Sequence, residues 1–362
     1  MTSYQLTITT RSPLHIGAGG PDLRKGIDFV GIGRSIYVFD TARVLDYLVS
    51  GADDEAAMLD KVTRTVNLAS FLTERDFREH PDLALYRLSG ATSVSEVRPL
   101  LKTYDARPYM PGSSLKGAIR TALIDTALLA REELPDWRKL GDRDKYAAQE
   151  LERDVTGRGE RPAQAPNYDL FRTIRIADSA PGERTWLSLS NIAVWPAGEQ
   201  GIPIDIETID AGSVFTSTLS IDEYLFSHHA AQLNFASRRP LIDGLADACR
   251  TNAEARIAHE RGFFVERDVK PMIRFYDELH TRLQALPPNA WLIQVGWGAG
   301  WDSKTIARTL RHHNQVAGVV RRYGLDRGKG RGGSFPATRH VVIDQRNTPL
   351  EPMGWVEVRM EG

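Results

Sequence analysis

The sequence predicts an α+β fold, because strand-like and helix-like segments alternate irregularly, unlike the regular strand–helix repeat of a doubly wound sheet. Residues 4–9 alternate apolar and polar side chains, which is typical of a half-buried strand. Residues 113–131 place apolar side chains at helical spacing, and residues 186–206 have the pattern of a β-hairpin that turns at 196–201. No internal repeat of about 20–50 residues is visible, so a repeat architecture is not expected.

The remaining elements are predicted from the same periodicities and from capping residues. In the first half we expect strands near 27–30 and 35–39, helices over 41–49, 54–79 and 142–153, irregular structure over 80–104, and a surface loop at 156–162. In the second half we expect strands at 171–178, 214–221, 291–295, 338–344 and 354–359, and helices over 222–286 and 303–322, with breaks near Pro240 and Gly262.

The composition is that of an ordinary globular protein. The 362 residues allow two domains or one domain with large insertions, and the balance of 41% hydrophobic and 26% charged residues is typical. No run of about 18 apolar residues predicts a membrane span, and the first residues lack the basic and apolar regions of a secretory signal. The single cysteine, Cys249, excludes a disulfide framework and a multi-cysteine zinc site, so we expect a cytoplasmic protein.

Positive charge is concentrated near the end of the chain. From Lys304 to His340 there are nine lysines and arginines against one acid, a local charge of +8 in a chain of formal net charge −1. This favours a polyanionic partner, although a solvated helix face followed by a mobile loop would have the same composition. Residues 326–336 contain Gly-x-Gly-x-x-Gly, but no strand immediately precedes them and Pro336 follows where a helix should begin. A nucleotide-binding enzyme is therefore disfavoured, and a loop along a sugar–phosphate backbone is favoured.

The start of the helix predicted from residue 113 combines glycines, hydroxyls and cations within residues 111–123. Ser113 or Ser114 is the expected N-cap, and Lys116 and Arg120 share a face near the helix end whose free N–H groups and dipole attract anions. The pattern suits phosphate groups, although an ordinary capped helix with a solvated face has comparable features. The residue order of a Walker A loop is absent.

A second motif, residues 295–306, repeats this arrangement. A predicted strand is followed by three glycines, a cap at Asp302 or Ser303, and Lys304 in the first helical turn. The two tryptophans between them would stack on nucleobases or pack in a core. The occurrence of two such motifs in one chain favours ligand binding over coincidence.

Patterns typical of catalytic or metal sites are missing from the sequence. The histidine pairs at 228–229 and 312–313 would project to different sides of a helix, and neither His-Glu-x-x-His nor Gly-x-Ser-x-Gly occurs. We therefore predict no metal, no cofactor and no catalytic residue.

Taken together, the two glycine motifs resemble those of the RAMP superfamily, the CRISPR-associated RNA-binding proteins. The resemblance rests on residues 109–120 and 296–306, and it extends to residues 14–19, 174–179, 335–339 and 354–356. The form that these motifs take in this sequence is similar to that of the capping RAMP subunit of type III-A (Csm) effector complexes. The resembling segments are spread over nearly the whole chain.

This resemblance implies ferredoxin-like RAMP cores with a thumb β-hairpin and helical insertions. One core would occupy residues 1–221, with a helical insertion at about 41–104 and the thumb at about 186–206. A helical part with a second RAMP-like lobe would occupy residues 222–362. Trp195 would lie near the tip of the thumb, which pushes between RNA bases.

The resemblance also implies a non-catalytic subunit that binds the 3′ part of the guide RNA (crRNA) and supports its maturation. Target RNA, a backbone RAMP subunit, a small helical subunit and host nucleases are the expected partners. The residues expected to contact RNA are Lys25, Ser113, Ser114, Lys116, Arg120, Trp195, Lys304, Arg327, Lys329, Arg331 and Arg339. Phosphate contacts are electrostatic, so binding should be salt-sensitive. They carry no sequence information, so binding should also tolerate different RNA sequences.

The alternative function is a metal-dependent endoribonuclease that acts on guide or target RNA. In the family that the chain resembles, target cleavage belongs to backbone subunits through an aspartate in an N-terminal loop. The corresponding loop here, residues 21–28, departs from that pattern and offers Asp22 and Asp28. No second carboxylate or histidine is evidently placed to hold a metal or shuttle a proton, so catalysis is disfavoured.

Overall fold

The α+β prediction is confirmed by the computed structural model, which describes residues 1–65, 67–90, 93–131, 137, 140–143, 146–158, 166–196, 203–326 and 335–362. The strands are β1 (Thr2–Thr10), β2 (Leu23–Arg24), β3 (Phe29–Ile32), β4 (Ser35–Phe39), β5 (Ala84–Ser89), β6 (Glu96–Val97), β7 (Ile174–Ile176), β8 (Leu187–Trp195), β9 (Ile204–Ile209), β10 (Val214–Ile221), β11 (Ala290–Gln294), β12 (Arg339–Ile343), β13 (Pro349–Pro352) and β14 (Trp355–Glu361). The α-helices are α1 (Thr41–Ser50), α2 (Glu55–Thr65), α3 (Glu74–Glu79), α4 (Gly112–Leu129), α5 (Gln149–Thr156), α6 (Arg239–Asp243), α7 (Leu245–Val265), α8 (Lys270–Ala285), α9 (Ala307–His312) and α10 (Val316–Tyr323). Within this described part, no helix is both long and apolar enough to cross a membrane.

A central antiparallel sheet has the strand order β11-β14-β1-β10-β7. The alternation predicted for the first strand places Leu6 and Ile8 of β1 in the core, where both are fully buried. Helices α4 and α7 contact each other, and both contact strands of this sheet. On α4, Leu115 and Ile119 belong to the same buried cluster as the β1 residues. Since each such side chain contributes about 1.5–3 kcal/mol on burial, the core holds α4 firmly against the sheet.

A second sheet has the order β13-β12-β8-β5-β4-β3, with β9 paired to β8. The hairpin predicted at 186–206 is present as the antiparallel pair β8–β9, in which Leu187 lies opposite Ile209. Residues 197–201 of its predicted turn lie outside the described residues. Strands from both halves of the chain contribute to both sheets, and the division at residue 221 stays a prediction.

Several helix predictions differ from the structure. The helix expected over 54–79 is interrupted after α2, and α3 begins where Asp76 accepts a hydrogen bond from the backbone N–H of Thr73 at 2.6 Å. The helix expected over 303–322 is two helices, α9 and α10, because Asn314 has a left-handed φ of 55° between them. The break expected near Gly262 is absent, because α7 continues through that residue. The structure also forms β5 within the segment that was expected to be irregular.

Candidate nucleic-acid interface

The N-terminus of α4, which the sequence marks as an anion site, is capped by a carboxylate of the chain itself. The helix begins at Gly112, so the predicted N-cap at Ser113 or Ser114 is wrong. The backbone N–H of Gly112 donates to Asp178 Oδ1 at 2.8 Å, a partner that follows β7 in the chain. A Cβ at Gly112 would lie 2.1 Å from the carbonyl oxygen of Ile176, so glycine is required for this close approach to β7.

Beside this helix end lies a groove of about 420 Å³, which we name the glycine groove. Ser113, Ser114 and Gly117 of α4 line one side. The rest of the lining comes from the loop at 16–17 and from residues 294–304, the end of β11 and the loop that follows it. A Cβ at Gly117 would meet no atom within 4 Å, so this wall is open to an approaching ligand.

The two loops of the groove are joined to each other by their backbones. The N–H of Trp297 donates to the carbonyl oxygen of His15 at 2.8 Å. At Gly296 the φ angle is 82°, and a Cβ there would lie 2.4 Å from the same oxygen. The glycine motif at 295–306 and the 14–19 segment therefore meet beside the start of α4, which carries the other glycine motif.

Lys304 lies at the margin of the glycine groove and is exposed. Among the described residues, its ammonium group has no hydrogen bond and no ion pair. The predicted helical turn around it is wrong, because α9 begins only at Ala307. Asp302, one of the two expected caps, has a side chain that is only 4% exposed, and its Oδ1 accepts a hydrogen bond from Arg311 at 2.5 Å. Lys304 therefore lies in a loop with its charge available.

Lys116 and Arg120 are bound to the rest of the chain. Lys116 Nζ donates to the carbonyl oxygen of Ile174 at 2.7 Å, and partial burial lowers the pKa of Lys116. The Arg120 guanidinium donates to Glu152 at 2.8 Å and to Asp169 at 2.9 Å. These contacts join α4 to β7 and α5, and an RNA contact by either cation stays a prediction.

Trp195 and Arg339 lie in the packing beneath α7. The Trp195 ring is stacked on Phe264 with a centroid distance of 5.6 Å. Arg339 is only 9% exposed, donates to Glu260 at 2.6 Å and lies 4.1 Å from the ring centroid of Phe263. Arg339 is thus buried and Trp195 is half-buried against α7, and their contact with RNA stays a prediction.

The other predicted contact residues lie apart from the groove or outside the described part. Lys25 is exposed in the loop before β3 and does not line the glycine groove. The remaining predicted residues, Arg327, Lys329 and Arg331, lie outside the described residues.

A buried ionic network that the sequence did not reveal supports the 14–17 loop. Glu207 of β9 is fully buried; its carboxylate accepts from Tyr86 at 2.5 Å and from the backbone N–H of Leu100 at 2.8 Å, and it pairs with Lys102. His15 Nδ1 lies 2.7 Å from the Glu207 carbonyl oxygen. Burial lowers the pKa of both Lys102 and His15. Nothing in the local sequence marks Glu207, because its partners come from distant segments.

His259, Glu260 and Asp302 place potential metal-ligand atoms within 4.8 Å of one another. Arg311 donates to Asp302 at 2.5 Å, and Arg339 donates to Glu260 at 2.6 Å. Arg256 also lies 3.7 Å from Glu260 and 3.9 Å from Asp302, so three guanidinium groups face the two carboxylates and a dication would meet net positive charge. The donor set therefore favours an internal ion-pair cluster over a divalent cation site.

The loop carboxylates of the nuclease alternative contact their own chain. Asp22 lies 3.6 Å from Arg98, and Asp28 accepts a hydrogen bond from the backbone N–H of Arg24 at 2.7 Å. Neither aspartate belongs to a cluster of possible metal ligands in the part of the chain that the structure describes.

Curated proteins related to this chain carry the description CRISPR system Cms protein Csm5. The relative from Streptococcus thermophilus is 27% identical over 207 residues, 52% of this chain and 54% of that protein. The relative from Methanocaldococcus jannaschii is 24% identical over 283 residues, 70% of this chain and 62% of that protein. The chain thus spans less than two thirds of the length of these relatives.

Solved structures share the fold over almost the whole chain. A chain in the cryo-EM structure of a Csm–crRNA–target RNA ternary complex of a type III-A CRISPR–Cas system has a TM-score of 0.70 at 23% identity, covering 99% of this chain and 100% of that chain. The crystal structure of T. onnurineus Csm5 has a TM-score of 0.65 at 21% identity, covering 97% and 99%. Over residues 7–300 the sequence also matches the family model of the RAMP superfamily. This protein therefore belongs to the RAMP superfamily.

Proposed function

We propose that the chain is a non-catalytic, RNA-binding subunit of a type III-A CRISPR ribonucleoprotein and caps the complex at the 3′ part of the guide RNA. The curated relatives named Csm5 and the fold shared with a chain of a Csm–crRNA–target RNA complex support this assignment. In this role it supports guide-RNA maturation and binding of target RNA in the cytoplasm. Its neighbours are a backbone RAMP subunit and a small helical subunit, with host nucleases as further partners.

The observation that carries the proposal is the glycine groove with Lys304 at its margin. Gly17 and Gly117 line the groove without side chains, and a Cβ at Gly117 would meet no atom within 4 Å, so a ligand backbone can approach closely there. The exposed ammonium of Lys304 supplies positive charge at the same place. Such a site holds phosphates and sugars and has little means of reading bases, which suits a guide RNA of variable sequence.

The strand order supports the expected RAMP core. β1, α4, β7, β10, α7 and β14 occur in the chain order of a β-α-β-β-α-β unit, with other elements inserted between them, and the strands pair in the order β14-β1-β10-β7. We assign these elements to a ferredoxin-like core and the β8–β9 hairpin to the thumb. The glycine groove then lies at the start of the first core helix.

Isolation of the tagged protein from its host, followed by sequencing of any bound RNA, tests the assignment. Guide RNAs that share a repeat-derived segment are expected. Protein free of RNA, or RNA drawn at random from the transcriptome, contradicts the proposal. Cleavage of labelled RNA in Mg²⁺ or Mn²⁺ that Asp22→Asn or Asp28→Asn abolishes would establish the endoribonuclease instead.

A Lys304→Gln variant tests the groove itself. We expect weaker RNA binding and a plot of log affinity against log salt that is shallower by about 0.7, the value for one phosphate contact on a single strand. Lys270→Gln is the matched control, because Lys270 is exposed at the start of α8 and does not line the groove. Equal effects of the two variants, or none from either, would exclude the groove as the RNA path.

A further inference from the structure

A second cavity, of about 350 Å³, adjoins the glycine groove. It lies between α4, the segment before α5, and residues 301–325. Thr121 and Lys304 line both the cavity and the groove. A ligand whose charged backbone follows the groove therefore passes the mouth of this cavity.

The lining of the cavity is mainly apolar and aromatic. Ile124 of α4 and Leu310 of α9 line it, and the rings of Tyr146, Trp301 and Tyr323 border it. Aromatic rings beside aliphatic side chains suit a flat, largely apolar group, and the volume falls at the lower end of the range for small-ligand pockets.

The charged residues of the cavity are arranged so that its interior does not suit an anion. Arg120 lines it, but its guanidinium already donates to Glu152 at 2.8 Å and to Asp169 at 2.9 Å. Glu152 also lines the cavity and carries negative charge. Lys304 has no partner among the described residues, and it lies at the border with the groove. Phosphate is therefore favoured in the groove, and an uncharged flat group is favoured in the cavity.

We propose that this cavity receives one unstacked nucleobase of the RNA whose sugar–phosphate backbone lies in the glycine groove. The inference rests on the proposed function and deepens it, because it adds a base subsite to a backbone site. Single-stranded RNA is commonly held in this way, with bases turned out of the stack against aromatic side chains. Lys304 contacts the phosphate next to the inserted nucleotide.

Filling the cavity tests the proposal. Ala147 lines the cavity without lining the groove, so Ala147→Trp occupies the base subsite and leaves the groove open. Ala57→Trp is the matched control, since Ala57 is exposed on α2, away from both sites. If Ala147→Trp lowers the melting temperature, Thr305→Trp fills the cavity from another part of its lining and replaces Ala147→Trp in the test.

The readout is a ratio of two affinities of the full chain. One probe is a uridine oligomer, and the other is an abasic ribose–phosphate oligomer of equal length. Stacking of one base is worth about 5- to 150-fold in affinity, so the wild-type protein and Ala57→Trp should prefer the uridine oligomer by that factor. Ala147→Trp should lose most of this preference and keep its affinity for the abasic oligomer.

The outcomes separate the two proposals. Equal wild-type affinity for both oligomers, or an unchanged preference in Ala147→Trp, overturns the base subsite and leaves RNA binding in the groove intact. An unchanged preference together with weakened assembly of Ala147→Trp into the ribonucleoprotein would assign the cavity to a protein side chain. Absence of binding to either oligomer overturns the proposed function and the base subsite with it.

Discussion

Replacement of Arg120 should act mainly on the stability of the fold and less on RNA binding. The guanidinium donates to Glu152 at 2.8 Å and to Asp169 at 2.9 Å, and it lies 5.2 Å from the ring centroid of Phe171. These contacts join α4 to α5 and to the segment before β7. Arg120→Ala leaves two carboxylates close together without the cation that they share.

The magnitude follows from the exposure of the three charged groups. The side chains of Arg120, Glu152 and Asp169 are 26%, 35% and 30% exposed. An exposed ion pair contributes about 0–1 kcal/mol to stability, and breaking a buried one costs about 3–5 kcal/mol. Since these groups are partly exposed, we expect Arg120→Ala to lower the free energy of unfolding by about 2 kcal/mol. With an unfolding entropy of about 2.1 cal/mol/K per residue, this lowers the Tm of the 362-residue chain by about 2–3 °C.

Calorimetry and RNA titration on the same preparations measure both effects. Arg175→Ala is the control, because Arg175 is 65% exposed and 3.4 Å from Asp222, and its Tm should change by less than about 1 °C. Arg120→Lys keeps the charge but not the two-pronged bridge, so it should recover only part of the Tm. An Arg120→Ala variant with the wild-type Tm and a weaker, less salt-dependent affinity for RNA would refute this reasoning.

Other substitutions give distinct expected outcomes. Gly112→Ala should prevent native packing of α4, because its Cβ would lie 2.1 Å from the Ile176 oxygen; soluble protein with a wild-type Tm would contradict this. Gly117→Ala, in open space on the same helix, should stabilise the fold by up to about 1 kcal/mol and weaken RNA binding, as thermal melts and titrations would show. Burial, with a smaller effect of Asp210, raises the pKa of Glu351 from 4.5 to about 7. The folded protein therefore binds an extra proton between those values, and its free energy of unfolding should fall by about 3 kcal/mol as pH rises through that window. Denaturant titrations of Glu351→Gln should lack this loss, and a wild-type pH profile in that variant would exclude Glu351 as its source.

Much of the fold and the parts of the candidate site were predictable from local patterns. Alternation was enough to predict β1 and β10, and helical spacing was enough to predict α4. The interruption at Asn314 was missed because a left-handed residue leaves the hydrophobic periodicity on either side unchanged. The cap of α4 was missed because Asp178, which accepts the hydrogen bond from Gly112, is 66 residues away in the sequence.

The sequence by itself determined the α+β class, the β8–β9 hairpin and the glycine-containing motifs at 14–19, 111–123 and 295–306, because periodicity and turn chemistry act between neighbouring residues. Only the tertiary structure decided that these motifs share one groove and which cations are left for a ligand. The carboxylates that hold Arg120 are 32 and 49 residues away, and the one that holds Arg339 is 79 residues away. An ion pair depends on distance in space and not on sequence separation. Arg120 and Arg339 therefore form internal ion pairs, whereas the charge of Lys304 is available to a ligand, although all three look alike in the sequence.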